Sequence, residues 1–132
     1  MIRKITINRK LVYISQPVWM IGHWCPGCKK IHGFACFEPT RDGHKWSFNS
    51  NYINPSFTPD MKIKVGPKNQ EPKICHYYLT RGQLNYLDDC THSFCGKTVP
   101  LPDIPQEEFK RHCMKEYMNG FRQFDGDDYE AD

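Results

Sequence analysis

The chain lacks any apolar run near the ~20 residues that a transmembrane helix requires. Its start, Met1-Ile2-Arg3-Lys4-Ile5-Thr6, lacks the apolar core of a signal peptide. These absences argue against a helical membrane span and predict a cytoplasmic protein. Internal repeats and low-complexity segments are missing too, and only one stretch carries a strong helical pattern, so a helical bundle is excluded. An even cysteine count is also absent: there are seven. In a reducing compartment that favours metal binding or catalysis over a disulfide framework.

What is present is a chain of 132 residues with 9 Gly, 10 Pro, 3 Trp, 7 Tyr and 8 Phe. The length fits one hydrophobic core, and the aromatic residues make up for a modest aliphatic supply. The formal charge of +3 hides an asymmetry. Asp125, Asp127, Asp128, Glu130 and Asp132 form an acidic tail over residues 125–132, leaving 18 basic against 10 acidic residues, a net of +8, in the body 1–124. We read 1–124 as a single zinc-binding, β-rich domain.

Turn residues and apolar patterning predict a mainly β (α+β) fold, a small zinc-ribbon-like antiparallel sheet of hairpins with one C-terminal helix. Ile2–Ile7 with Leu11–Ile14 reads as an N-terminal hairpin. A strand over residues 18–24 leads into Cys25-Pro26-Gly27-Cys28, and one over 31–37 leads out. Trp46–Asn49 is a short strand, and Pro55 and Pro59 argue against a central strand over 54–59. Met61, Ile63 and Val65 alternate inward. Residues 74–79 and 84–87 form a second hairpin around Arg81-Gly82, and Asp88–Gly96 reads as a helical turn closed by glycine. The helix spans about 105–120, with Glu107 and Glu108 at its positive end and Phe109, Cys113, Tyr117 and Met118 on one face.

Cys25-x-x-Cys28 is a tight turn that can aim two thiols at one ion, and a structural zinc site needs four N or S ligands. Cys75 and His76 are the leading candidates for the other two, with His32 and His92 as alternatives. Neighbours on a regular strand point to opposite faces, so Cys75 and His76 can share an ion only where the chain is irregular. A redox pair of thioredoxin type would need a helix after Cys28, and none is signalled. Cys36, Cys95 and Cys113 read as small buried hydrophobes, and His44 and His112 as surface residues.

Asp89, Cys90 and His92 lie within four positions of one another. With Cys75 or His76 nearby, they supply either the thiol, base and orienting group of nucleophilic acyl transfer, or the general base beside a zinc-bound water. His92 and Asp89 are the catalytic candidates. A capped turn, with Asp89 accepting backbone N–H groups, is the alternative.

Trp24-Cys25-Pro26-Gly27-Cys28, His32, Trp46–Asn49, Pro55–Pro59, Cys75-His76, Gly82, Asp89–His92 and Gly96–Pro102 resemble, in order, a family of small phage and prophage proteins. That family looks like a branch of a peptidase-like group encoded beside bacterial ubiquitin-like conjugation genes. The wider group's pattern has a Cys-rich knuckle, a Pro-Ser segment and a Ser-His pair six residues before a glycine. Here His76 stands six before Gly82 with Cys75 in the serine's place, and Asp60 stands where a serine is expected after Thr58-Pro59. The resemblance implies a zinc-containing hydrolase acting on a protein, such as a ubiquitin-like tail. Two further readings stay open: a non-catalytic phage protein that binds a host factor, and single-stranded nucleic-acid binding through Lys62, Lys64, Lys68 and Lys73 near Trp46, Tyr77 and Tyr78.

Overall fold

A computed structural model describes residues 4–121; the acidic stretch 125–132 lies outside the described residues. Among the described residues the fold is mainly antiparallel β with a single helix, Gln106–Met118. The chain groups into two compact units, and the span 1–124 is divided between them. One takes the chain up to Trp24, Ile31–Lys45 and the segment from Pro102 onward, and the other takes Cys25–Lys30 and Trp46–Leu101.

The first unit contains β1 (Leu11–Ile14) and, apart from Cys25 and Lys30, β2 (Met20–Cys25) and β3 (Lys30–Phe34), the three hydrogen-bonded in that order. β1 pairs with β2 in the register Leu11↔His23 to Ile14↔Met20. Of the expected N-terminal hairpin, the described residues show one bridge, Thr6↔Val12, while Ile2 and Arg3 lie outside them. The Asn8 side chain accepts the N–H groups of Lys10 and Leu11, both at 2.9 Å, and turns the chain there. Helix α1 (Gln106–Met118) follows, with Glu107 and Glu108 in its first turn. Ile5, Val12, Ile104, Phe109 and Cys113 form the core, with Tyr13, Trp19, Trp24, Ile31 and Phe121 packed against it. No helix among the described residues is long and apolar enough to cross a membrane.

The buried stripe of α1 differs from the apolar face read in the sequence. It comprises Phe109, His112, Cys113 and Glu116, whereas Tyr117 and Met118 are exposed. The i, i+3, i+4, i+7 spacing is intact, but two of its positions are polar because β1 and its end supply partners. His112 Nε2 donates to the Tyr13 carbonyl at 2.8 Å, and Glu116 accepts the Ser15 N–H at 3.2 Å and the Ser15 hydroxyl. His112 is therefore buried and not a surface residue.

Burial pushes the His112 imidazole below its ordinary 6.5, outweighing the Tyr13 carbonyl and Glu116; Lys115 adds to the depression. A histidine whose folded value is depressed takes up its proton more readily when unfolded. Stability thus falls as pH drops through 6.5. The denaturant midpoint should be lower at pH 5.5 than at 7.5, and His112→Gln, whose amide can still donate to Tyr13, should flatten that difference.

The second unit is a five-stranded antiparallel meander of β4 (Ser47–Phe48), β5 (Phe57–Val65), β6 (Lys73–Thr80), β7 (Gln83–Tyr86) and β8 (Thr98–Pro100). β6 alternates cleanly: Cys75, Tyr77 and Leu79 are buried. Arg81 and Gly82 both take positive φ (51° and 73°) in the two-residue turn between Thr80 and Gln83.

β5 runs through Pro59 with a strand on either side, contrary to the reading from the two prolines. The register with β6 shifts between Phe57 and Met61, and Pro59 sits in that irregularity, where the ladder asks for no N–H. Met61 is buried as expected, but Val65 at the strand end is half exposed. Asp88–Gly96 is a series of turns and not a helical turn. Cys90 N–H bonds Leu87 O at 3.3 Å and Cys95 N–H bonds His92 O at 3.2 Å.

Candidate metal centre and histidine–carboxylate site

Cys25 ends β2, and Pro26-Gly27 turns the chain so that the Cys28 N–H points at Cys25 Sγ (3.4 Å) and the Lys29 N–H at Cys25 O (2.8 Å). The two thiols therefore face the same way. On β6, the inward alternation that buries Tyr77 and Leu79 also buries Cys75, whose Sγ lies 3.8 Å from that of Cys25. Cys25, Cys28, His32 and Cys75 each offer one ligand atom, and these atoms all lie within 4.8 Å of one another.

The donor set fits a metal ion. Bonds of about 2.3 Å from sulfur to a tetrahedral ion place two sulfurs about 3.8 Å apart, the spacing of Cys25 and Cys75. Two further groups lie on the sulfurs: Tyr86 Oη is 3.1 Å from Cys25 Sγ, and His92 Nε2 is 3.4 Å from Cys75 Sγ. Donors of this kind orient thiolate ligands and disperse their charge. Burial, then the adjacent Cys25, pushes the Cys28 thiol up to about 11. The Cys75 thiol is raised by its hydrogen bond with Cys25 and then by burial. Crowded thiols hold their protons until a cation replaces them.

His76 follows Cys75 on a regular part of β6, paired with Lys62 as Cys75 is with Ile63. It therefore points to the other face. There its Nδ1 lies 3.0 Å from both carboxylate oxygens of Asp89, and its Nε2 bonds Asp60 Oδ2. Asp60 shares that face with Lys62 by strand alternation, and Lys62 Nζ reaches Asp89 Oδ2 at 3.3 Å. The Trp46 indole N–H donates to Asp60 O at 3.2 Å. Desolvation works against ionisation of Asp89, but the His76 and Lys62 hydrogen bonds outweigh it and hold the carboxyl below its ordinary range.

The predicted residues thus fall into two groups. Cys25, Cys28 and Cys75 come together with His32, the alternative ligand. His76 and Asp89 come together on the other face of β6, and His92 lies with the sulfurs and not with Asp89. Cys90, held between the His76 N–H (3.2 Å) and the His76 carbonyl (3.1 Å), braces the backbone at His76. Sequence reasoning missed Asp60 as a partner of His76, Lys62 as a partner of Asp89, and Tyr86 on Cys25. Alternation along Asp60-Met61-Lys62 was the signal available: with Met61 inward, its two neighbours face out.

No curated protein and no solved structure matches the chain. A protein-family model does match, over residues 2–87, a stretch that includes the knuckle, His32, Asp60, Cys75 and His76 and stops short of Asp89 and His92. By that match the chain belongs to the bacterial ubiquitination-like system serine protease (BubE) family.

Proposed function

We propose that this chain is a peptidase-like protein that engages the tail of a protein, of the ubiquitin-like class, at the His76–Asp89 face of β5 and β6, in the bacterial cytoplasm. The observation that carries the reading is the pair itself. A carboxylate squarely on Nδ1 of a partly exposed histidine is the base-and-orienter arrangement of serine proteases, in a chain whose family bears that description. The metal centre is structural in this reading. Three sulfurs and one imidazole nitrogen select zinc among the common divalent ions. Four protein donors leave no place for a reacting water. Zinc would tie the knuckle, His32 and β6 together, and β6 carries His76 on its opposite face.

The test is a fluorescently labelled ubiquitin-like protein with a C-terminal extension, titrated against the chain while mass spectrometry follows the extension. His76→Ala and Asp89→Asn should each weaken binding at least about tenfold without moving the thermal midpoint by more than a few degrees. Binding indifferent to both substitutions would sink the reading, and so would a native chain that binds no such tail. Capture of a host protein through another surface would then favour the accessory-protein alternative.

A further inference from the structure

In a Ser-His-Asp arrangement the nucleophile's hydroxyl sits on Nε2 of the histidine and the carboxylate on Nδ1. Here the Nδ1 side is complete and the Nε2 side is not. The polar partners of the His76 ring among the described residues are two carboxylates, Asp89 and Asp60. With an acid at each nitrogen, neither ring nitrogen faces a hydroxyl. Ser56 Oγ instead accepts the Arg81 N–H at 2.7 Å, and Thr91 Oγ1 accepts the Ile74 N–H at 3.0 Å and donates to the Ile74 carbonyl.

We infer that Asp60 holds the nucleophile's place on His76, so that the native chain binds its protein tail without cleaving it through an acyl-enzyme. This deepens the tail-binding reading and rests on its assignment of His76 and Asp89. A carboxyl group at this place offers no alcohol hydroxyl for His76 to activate. Its attack on an amide carbonyl would form a mixed anhydride, which lies uphill of the amide it replaces. Asp60 lies beside the register shift in β5, with its carboxylate on His76 Nε2 and its carbonyl accepting the Trp46 indole N–H.

Asp60→Ser would complete the arrangement. Its hydroxyl oxygen would bond to the substrate carbonyl carbon while its proton passes to His76 Nε2. That proton would then go to the departing amine nitrogen as the C–N bond breaks, and water would hydrolyse the resulting ester.

A fluorophosphonate probe reads this directly, because it needs only an activated hydroxyl and no protein tail. The native chain and Asp60→Ala should show no labelling at position 60. Asp60→Ser should be labelled there at least about 100-fold faster than Asp60→Ala, and adding His76→Ala should abolish the gain. His76-dependent cleavage of a tail by the native chain overturns the proposal. So does a folded Asp60→Ser variant, judged by a native-like melt, that labels no faster than Asp60→Ala. Should that variant not fold, the native chain still decides: binding without His76-dependent turnover supports the proposal, and turnover refutes it. Labelling as expected with no tail binding would reject the substrate reading and leave the assignment of Asp60 standing.

Discussion

Stripping the metal with a chelator should lower the thermal midpoint of this protein by about 15 °C, and Cys75→Ser should do the same without chelator. An ion held at a thousandfold excess over its dissociation constant stabilises the folded state by about 4 kcal/mol. The specific entropy of unfolding converts that, for a chain of this length, into a shift of about 15 °C. The direction follows from the site. Cys25, Cys28, His32 and Cys75 gather donors from the knuckle, the strand after it and β6, and β6 is distant in sequence from the other two. Without a cation the crowded, buried thiols favour their protonated forms and lose the common centre that draws them together. Elemental analysis should give one metal per chain for the native protein and none for Cys75→Ser. A melt unchanged by chelation, in a protein that carries no metal, would reduce the cluster to ordinary thiol packing.

Much of this site was readable from the sequence because its pieces are local. Cys25-Pro26-Gly27-Cys28 dictates a turn with both thiols on one side whatever surrounds it, and the period-2 pattern over residues 74–79 places Cys75 inward. The fold class was readable for the same reason: short patterned runs, turn residues and one helical stretch point to hairpins plus a helix.

What escaped the sequence depended on register. Cys75 and His76 could share an ion only through a bulge in their own strand, but the irregularity lies in β5, between Phe57 and Met61. β6 therefore stays regular and divides the two residues between faces. Asp60 lies beside that irregularity, and the alternation of Asp60-Met61-Lys62 gives its face but not its partner, His76. On α1, His112 reads as outward-facing and Glu116 carries no signal, because their partners, the Tyr13 carbonyl and Ser15, lie about a hundred positions away. A buried polar group is affordable only where a partner waits, and a single chain read in order does not show where that is.

Gly27→Ala should be the most damaging substitution outside the ligands themselves. A Cβ at that position would lie 2.4 Å from Cε1 and Nδ1 of His92 and 2.6 Å from its Cγ. All three are atoms of a rigid ring that cannot bend away as a flexible side chain would. The ring is pinned on both sides: Nε2 on Cys75 Sγ at 3.4 Å, and Nδ1 accepting the Phe94 N–H at 3.2 Å. Its face also meets Tyr86 edge-on, with centroids 4.8 Å apart, and Tyr86 is the residue that reaches Cys25. Relief of the overlap must therefore shift either the knuckle backbone or the His92 ring, and each shift moves a group that holds a sulfur. Overpacking of this kind costs about 1–3 kcal/mol, and loss of a donor to a metal-bound sulfur lowers metal affinity by about 10–100-fold. Competition with a chromophoric chelator should show that loss in Gly27→Ala. His92→Ala should weaken the metal without the overlap, and adding it to Gly27→Ala should recover part of the thermal stability, because the methyl group then has room. A double variant no more stable than Gly27→Ala would mean that the glycine serves the turn itself and not the packing of His92.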